Sequence, residues 1–283
     1  MIRAIVLLAL LATAAPAAAA EYAGPIIDAH SHVPNATAID TYVTAMKRHN
    51  VVKVVLLGVG AVQKDDAAWI AAAVAKYPTL VVPGQPVPDP TSATAATKLE
   101  AELAKSRARA LGEIHVRQVS RKIDRNPSDP AFVKLLEMAG RHKIPVVIHQ
   151  ELDAGAIAGL EAALKAAPAA TIVLAHGGSA TPDVLEGLLG RHANLMVDLS
   201  GMHFQRTPAL ATEKGPLNPA WKALIDKRAD RFLIGIDVWA PRMFEAGMLD
   251  RLMIWTRRIL GELTPEAAAR VGHKNAAALY RLE

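Results

Sequence analysis

His30 and His32 stand two residues apart at the end of an apolar run, in Ile27-Asp28-Ala29-His30-Ser31-His32. On an extended strand, residues two apart share a face, so both imidazoles can turn toward one ion. Farther along, a histidine or carboxylate again accompanies an apolar run: Glu113 with His115, then His149, His176 and Asp237. A single histidine at a strand end is ordinarily a hydrogen-bonded rim residue. Several such segments together differ, because gathering ionisable groups without a cation leaves polar atoms unsatisfied and like charges opposed. The chain has no cysteine. A bound metal must therefore use imidazole and carboxylate ligands, a set that suits zinc, with manganese an alternative.

Positioning these groups on one rim requires a repeated strand. Short β-rich apolar runs recur at Ile26–His30, Val51–Gly58, Leu80–Val87, Ala110–Val116, Ile144–Gln150, Thr171–Gly177, Leu195–Gly201 and Phe232–Trp239. Several are continuously apolar, as expected of parallel strands buried on both faces. Helical patterns lie between them, at Asp65–Lys76, Thr94–Arg109, Pro130–His142 and Pro182–Arg191, with Asp129 and Thr181 as N-caps ahead of first-turn prolines. This alternation predicts an α/β fold, a (β/α)8 TIM barrel, with an open doubly wound sheet as the alternative. Gly58-Val59-Gly60 lacks the third glycine of a dinucleotide loop. The segment Gly201–Pro219 predicts a long loop at the strand ends. Thr264–Leu282 predicts a closing helix of the outer ring. Barrel active sites sit at the C-terminal strand ends, where the polar residues fall.

Residues 1–20 combine a basic start at Arg3, an apolar stretch and Ala18-Ala19-Ala20, the pattern of a cleaved signal peptide, with an uncleaved membrane anchor as the alternative. The expectation is a single domain over residues 21–283, periplasmic or secreted, with no stable membrane insertion after cleavage. A hydrophobic fraction of 52% is ample for a core, and 4% aromatics leave Ala, Val and Leu to fill it. The net charge of +5 is dispersed without a Lys/Arg run, so no nucleic-acid partner is expected.

With these motifs, Gly112-Glu113-Ile114, Ile144–His149, Leu174-Ala175-His176-Gly177-Gly178, Ile234-Gly235-Ile236-Asp237 and Lys274–Tyr280, the chain resembles the amidohydrolase superfamily over essentially residues 21–283. It is most similar to the amidohydrolase-2 branch, which includes aminocarboxymuconate semialdehyde decarboxylase-like enzymes, hydrolases and lactonases. The resemblance implies metal ligands at His30, His32, His149 and Asp237. It implies that His176 binds a second metal or polarises the substrate, and that Asp237 also shuttles a proton. Many members carry a carbamylated lysine on the fourth strand. Here Glu113 stands in that strand, either bridging two ions or supporting one. His115 reads as pocket lining or a supporting group. Asp198 reads as an orienting partner for a ligand histidine, and Asp28 as a hydrogen-bonding residue deeper in the barrel. His49, His142 and His192 read as helix-end residues on the opposite, stability face.

The implied chemistry is metal-activated water attacking an amide, ester or lactone, with Asp237 accepting the proton and His176 steadying the developing charge. The alternatives are a non-oxidative decarboxylase and a secreted metal-binding protein without catalysis. The expected partner is a small, anionic substrate, with Arg117, Gln150, His203, Arg206, Trp239 and Arg242 as pocket residues. Barrels of this family are often dimers, so a homodimer is a further expectation.

Overall fold

The computed structural model describes residues 20–59, 63–245 and 247–282. The leader reading therefore falls almost wholly outside the described residues. No described helix is long and apolar enough to cross a membrane.

The chain alternates β1 (Ile26–Ser31), α1 (Ala38–Arg48), β2 (Val51–Leu56), α2 (Asp66–Lys76), β3 (Val81–Gln85), α3 (Ala95–Leu103) and β4 (Ala110–Gln118). A short β5 (Ile123–Asp124) folds back antiparallel on β4, before α4 (Pro130–His142), β6 (Val146–Gln150), α5 (Ala154–Ala166) and β7 (Ile172–Leu174). Next come α6 (Pro182–Arg191), β8 (Leu195–Asp198), α7 (Pro219–Lys227), β9 (Phe232–Leu233) and α8 (Met248–Gly261). The parallel strands run in the order β1-β2-β3-β4-β6-β7-β8-β9. Backbone bonds from Ala29 N to Ile234 O (3.0 Å) and from Asp237 N to His30 O (2.8 Å) bring the two edges together. The fold is a (β/α)8 barrel.

Two apolar layers hold it. Ile27, Ala29, Val55, Leu57, Val82, Val147 and Val173 fill the lumen, while the opposite strand faces pack on the helices through residues such as Val54, Leu56, Ile148, Leu135 and Leu188. Burying both faces explains why these strands read as unbroken apolar runs. Helix starts follow local chemistry: the Asp129 carboxylate caps α4 at Ala131 N (2.8 Å), and Pro130 takes the first turn. Thr181 precedes Pro182 but makes no side-chain cap.

Three expectations are corrected. The eighth strand is regular only at Phe232–Leu233, because Asp28 and the segment around Val271 capture its next N–H groups. The sixth run, Thr171–Gly177, stops being a strand at Leu174, where His176, Gly177 and Gly178 adopt left-handed φ values of 55°, 57° and 59°. The closing segment is not one outer helix. It breaks into α9 (Pro265–Ala269), a π turn and α10 (Asn275–Leu279), and Ala276 and Tyr280 pack with the lumen residues. It plugs the base of the barrel.

Candidate metal centre

Asp28 is wholly buried and accepts hydrogen bonds from His30 N (3.1 Å), Ser31 Oγ (2.5 Å), Ile236 N (2.8 Å) and the Tyr42 hydroxyl. Burial still pushes its carboxyl up to about 6, against the lowering effect of those bonds. This residue ties β1 to α1 and to the segment bearing Asp237. A register shift between Asp28 and Ser31 then carries His30 and His32 into the mouth above the lumen residues. On β4, Gly112 has φ +118°, and a Cβ there would meet Ile114 N at 2.9 Å and the Val147 backbone. That close approach to β6 needs glycine, and it sets the phase that brings Glu113 and His115 into the cluster.

The ring orientations are locked from behind. His30 Nδ1 donates to Asp198 Oδ2 (2.6 Å), His32 Nδ1 to Leu57 O (2.8 Å), and His176 Nδ1 to Ser200 O (2.7 Å). With each Nδ1 so used, each Nε2 carries the lone pair. Yet His30 Nε2 lies 3.1 Å from His32 Nε2, and His176 Nε2 lies 3.1 Å from Glu113 Oε1. Lone pairs facing at this distance need a positive charge between them, a proton or a cation. Two imidazoles bound to one metal at 2.0–2.1 Å would place their nitrogens about 2.9 to 3.4 Å apart. The residues present fit a divalent ion.

Glu113 occupies the centre. Its Oε2 faces His30 Nε2 (3.7 Å), His32 Nε2 (3.6 Å) and His115 Nε2 (3.8 Å), while Oε1 faces His149 Nδ1 (3.0 Å) and His176 Nε2 (3.1 Å). Asp237 Oδ1 lies 3.5 Å from His32 Nε2, and its buried Oδ2 pairs with Arg206 Nη1 at 2.6 Å. Sets that could hold an ion are His30–His32–Asp237, His30–Glu113–His176 and Glu113–His115–His149.

The electrostatics are those of a carboxylate nest short of cations. Burial would raise Glu113, but His30, His149 and His176 hold it well below the usual range. Burial would likewise raise Asp237, which Arg206, His176 and His32 keep low. Burial works against charge on His30 and His176 as well, yet Asp198 and Glu113 raise the first, and Asp237 and Glu113 raise the second. His115 behaves oppositely: burial pushes it down to about 4, so it is a neutral imidazole. A divalent ion can replace the protons these histidines hold.

The cavity over the cluster has a volume of about 110 Å³ and is lined by Glu113, His32, His115, His149, His176 and Asp237, then by Val59, Gln63, Gln118, Arg121, Arg206 and Trp239. Thus His30, His32, Glu113, His149, His176 and Asp237 converge, and Arg206 and Trp239 lie on the wall. The other expected pocket residues do not. Arg117 is turned away by Asp153 (2.7 Å), and Gln150 donates to Ala156 O (2.8 Å); both line a separate groove beside α5. His203 is buried against Phe204 and Trp255 beneath the loop that follows β8. Arg242 lies exposed on a turn. Asp198 does orient His30. His49, His142 and His192 pair with Asp250 (2.7 Å), Glu100 (2.8 Å) and Glu161 (3.0 Å) on neighbouring helices.

Gln63, Gln118 and Arg121 are pocket residues the sequence reading passed over. Gln118 lies beyond Val116, where the apolar run ends but β4 does not.

The amidohydrolase family model matches residues 27–282. No curated protein matches the chain. Among solved structures, it is similar to a probable 2-pyrone-4,6-dicarboxylic acid hydrolase from Acinetobacter baumannii, with 14% identity, TM-score 0.66, 91% of this chain and 100% of that one. It is also similar to a dihydroxybenzoic acid decarboxylase from Polaromonas bearing manganese and 2-nitroresorcinol, with 17% identity, TM-score 0.62, and 91% and 97% coverage. A third likeness is 4-oxalomesaconate hydratase from Rhodopseudomonas palustris, with 16% identity, TM-score 0.62, and 91% and 96% coverage. At these identities the neighbours speak for the barrel alone, while the family model spans nearly all of the described residues, motifs and cluster included: the chain belongs to the amidohydrolase-2 family.

Proposed function

We propose that the chain is a metal-dependent hydrolase acting on an amide, ester or lactone bond of a small anionic molecule. The observation that carries this reading is the Asp237 carboxylate. It is buried, kept ionised by Arg206 and His176, and set against the His30–His32 pair, with Oδ1 3.5 Å from His32 Nε2. His30, His32, Asp237 and Glu113 Oε2 would hold the ion, zinc or manganese by donor type. Such an ion brings the pKa of water toward about 7 and polarises a carbonyl.

The remaining work falls to the chain's own groups. Asp237 accepts the proton of the attacking water at a carboxylate oxygen and returns it to the leaving group. His176, fixed by Ser200 O and made more basic, against the effect of burial, by Asp237 and Glu113, carries a second proton on Nε2 and so steadies negative charge on the substrate oxygen. Asp198 holds the His30 ring in register. Trp239 and Val59 supply the apolar part of the wall.

Arg206 favours a second reading, non-oxidative decarboxylation. Its guanidinium sits 2.6 Å from Asp237 on the cavity wall, within reach of a substrate carboxylate. Turnover in 18O-labelled water separates the two: hydrolysis places the label in product, whereas decarboxylation releases carbon dioxide and takes up a solvent proton. The metal-replete Asp237→Asn variant should lose turnover. Full activity in that variant would sink both readings.

A further inference from the structure

We propose that the groove between the β4–β5 hairpin and α5 binds a small carboxylate that also carries a hydroxyl group. It is a site apart from the metal centre, and the two share no lining residue.

The ladder between β4 and β6 pairs His115 with His149 and then Arg117 with Gln150, so β4 passes two residues for one of β6. Such a bulge re-aims the side chains beyond it. Arg117 and Gln150 therefore leave the metal cluster and line the groove. The opposite wall is α5. Gly155, Ala158, Gly159 and Ala162 recur at helical spacing on the face toward the hairpin, while Leu160, Ala163 and Leu164 are buried on the other. These small side chains leave the space between helix and hairpin open. It measures about 700 Å³, against about 110 Å³ over the metal centre.

Two polar groups define the ligand. Gln150 is 1% exposed; its Nε2 donates to Ala156 O (2.8 Å), and its Oε1 has no hydrogen-bond partner. A buried amide oxygen ordinarily receives a donor, and a hydroxyl entering the groove supplies one. Arg125 spends one nitrogen on His115 O (2.6 Å). The carboxylates of the groove attend Arg117 instead, Asp153 at 2.7 Å and Asp124 at 3.8 Å. Arg125 thus keeps its charge and the rest of its planar fork of donors, which suits a carboxylate. A ligand ammonium is served less well, because Asp153 is engaged by Arg117 and by the α5 amide of Ala156 (2.9 Å). The acid group is met by Arg125, the hydroxyl by Gln150, and the carbon skeleton by the glycine and alanine face of α5.

The test is calorimetric titration of the full-length protein with L-malate and 4-hydroxybenzoate, beside their hydroxyl-free counterparts succinate and benzoate. At least one hydroxy acid should bind with a Kd below about 1 mM, and its counterpart at least tenfold more weakly for the missing bond to Gln150. Ala158→Leu fills the groove from an exposed position of α5, and Arg125→Leu removes the charge; each should weaken that binding at least tenfold. His30→Gln should leave it unchanged. Circular dichroism verifies folding. If Arg125→Leu does not fold for want of its bond to His115 O, Ala158→Leu decides alone. Binding lost in His30→Gln and kept in Ala158→Leu belongs to the metal centre and overturns the proposal. Equal affinity for the acids with and without the hydroxyl overturns it too, as does failure of both hydroxy acids to bind below that limit.

Discussion

Replacing Asp198 with asparagine keeps the shape behind His30 and removes one acceptor. Asp198 is 1% exposed and accepts three bonds: from His30 Nδ1 (2.6 Å), Ser200 N (2.7 Å) and Ser200 Oγ (2.9 Å). Its Oδ1 serves the Ser200 amide, and its Oδ2 serves the imidazole and hydroxyl. An asparagine that keeps its oxygen on Ser200 N turns its NH₂ toward His30. His30 must then accept at Nδ1 and carry its proton on Nε2, the atom meant for the ion. The flipped asparagine instead opposes its NH₂ to the Ser200 N–H, a donor against a donor, which costs about 1–3 kcal/mol for the unmet amide. Loss of such an outer partner lowers metal affinity about 10–100-fold, and each tenfold corresponds to about 1.4 kcal/mol. Competition against a chromophoric chelator at pH 7.5 measures this directly. Thermal melting of the metal-free variant separates affinity from folding. Wild-type affinity in a folded Asp198→Asn protein would refute the orientation of His30 by Asp198.

Other outcomes follow from the same geometry. Gly201 has φ +67°, and a Cβ there would lie 2.6 Å from Asp237 Oδ2 and 3.0 Å from His176 Nδ1. Gly201→Ala should lower stability by about 1–2 kcal/mol for the left-handed backbone and turnover by about 100-fold through displacement of those groups; melting and kinetics check both. Asp66 is 4% exposed and accepts from Val59 N (2.5 Å), and burial lifts its carboxyl from 3.8 to about 6. The folded state thus disfavours its charge, and stability falls as pH rises through that window, by about 3 kcal/mol. Asp66→Asn retains an acceptor oxygen, so it should be the more stable protein at pH 8 and equal to wild type below pH 3.8, as chemical denaturation would show. Chelation should lower the melting temperature, since saturation at 100 Kd stabilises by about 2.7 kcal/mol. Metal affinity should weaken on acidification from above the ordinary histidine pKa of 6.5, because the carboxylates raise His30 and His176 and the ion must displace their protons. Affinity that stays flat from pH 8 to 5.5 would contradict that competition.

The cluster was legible because its members follow strand periodicity. Burial on both faces makes the strands continuous apolar runs, and each polar interruption marks a rim. His30, His32, Glu113, His149, His176 and Asp237 were all found this way. Position along the strand does not reveal direction beyond its end. Arg117 and Gln150 lie just past strand ends, yet Asp153 and Ala156 O draw them to the far side of the wall. Arg121 and Gln63 come from connections with no period to read. The base of the barrel escaped notice because Thr264–Leu282 has an ordinary amphipathic composition, and only the assembled lumen shows Tyr280 filling it.

Asp28 gives the site an order of assembly. Its bond to the Ile236 amide spans 208 positions of sequence, and the same junction joins His30 O to the Asp237 amide. His30 and His32 are among the first residues of the barrel to be made, and Asp237 among the last. Contacts this distant in the chain form late, after most loop-closure entropy has been overcome. Metal capture at His30, His32 and Asp237, as proposed above, would therefore register completion of the barrel, and a chain interrupted before residue 237 would present its histidines without that carboxylate.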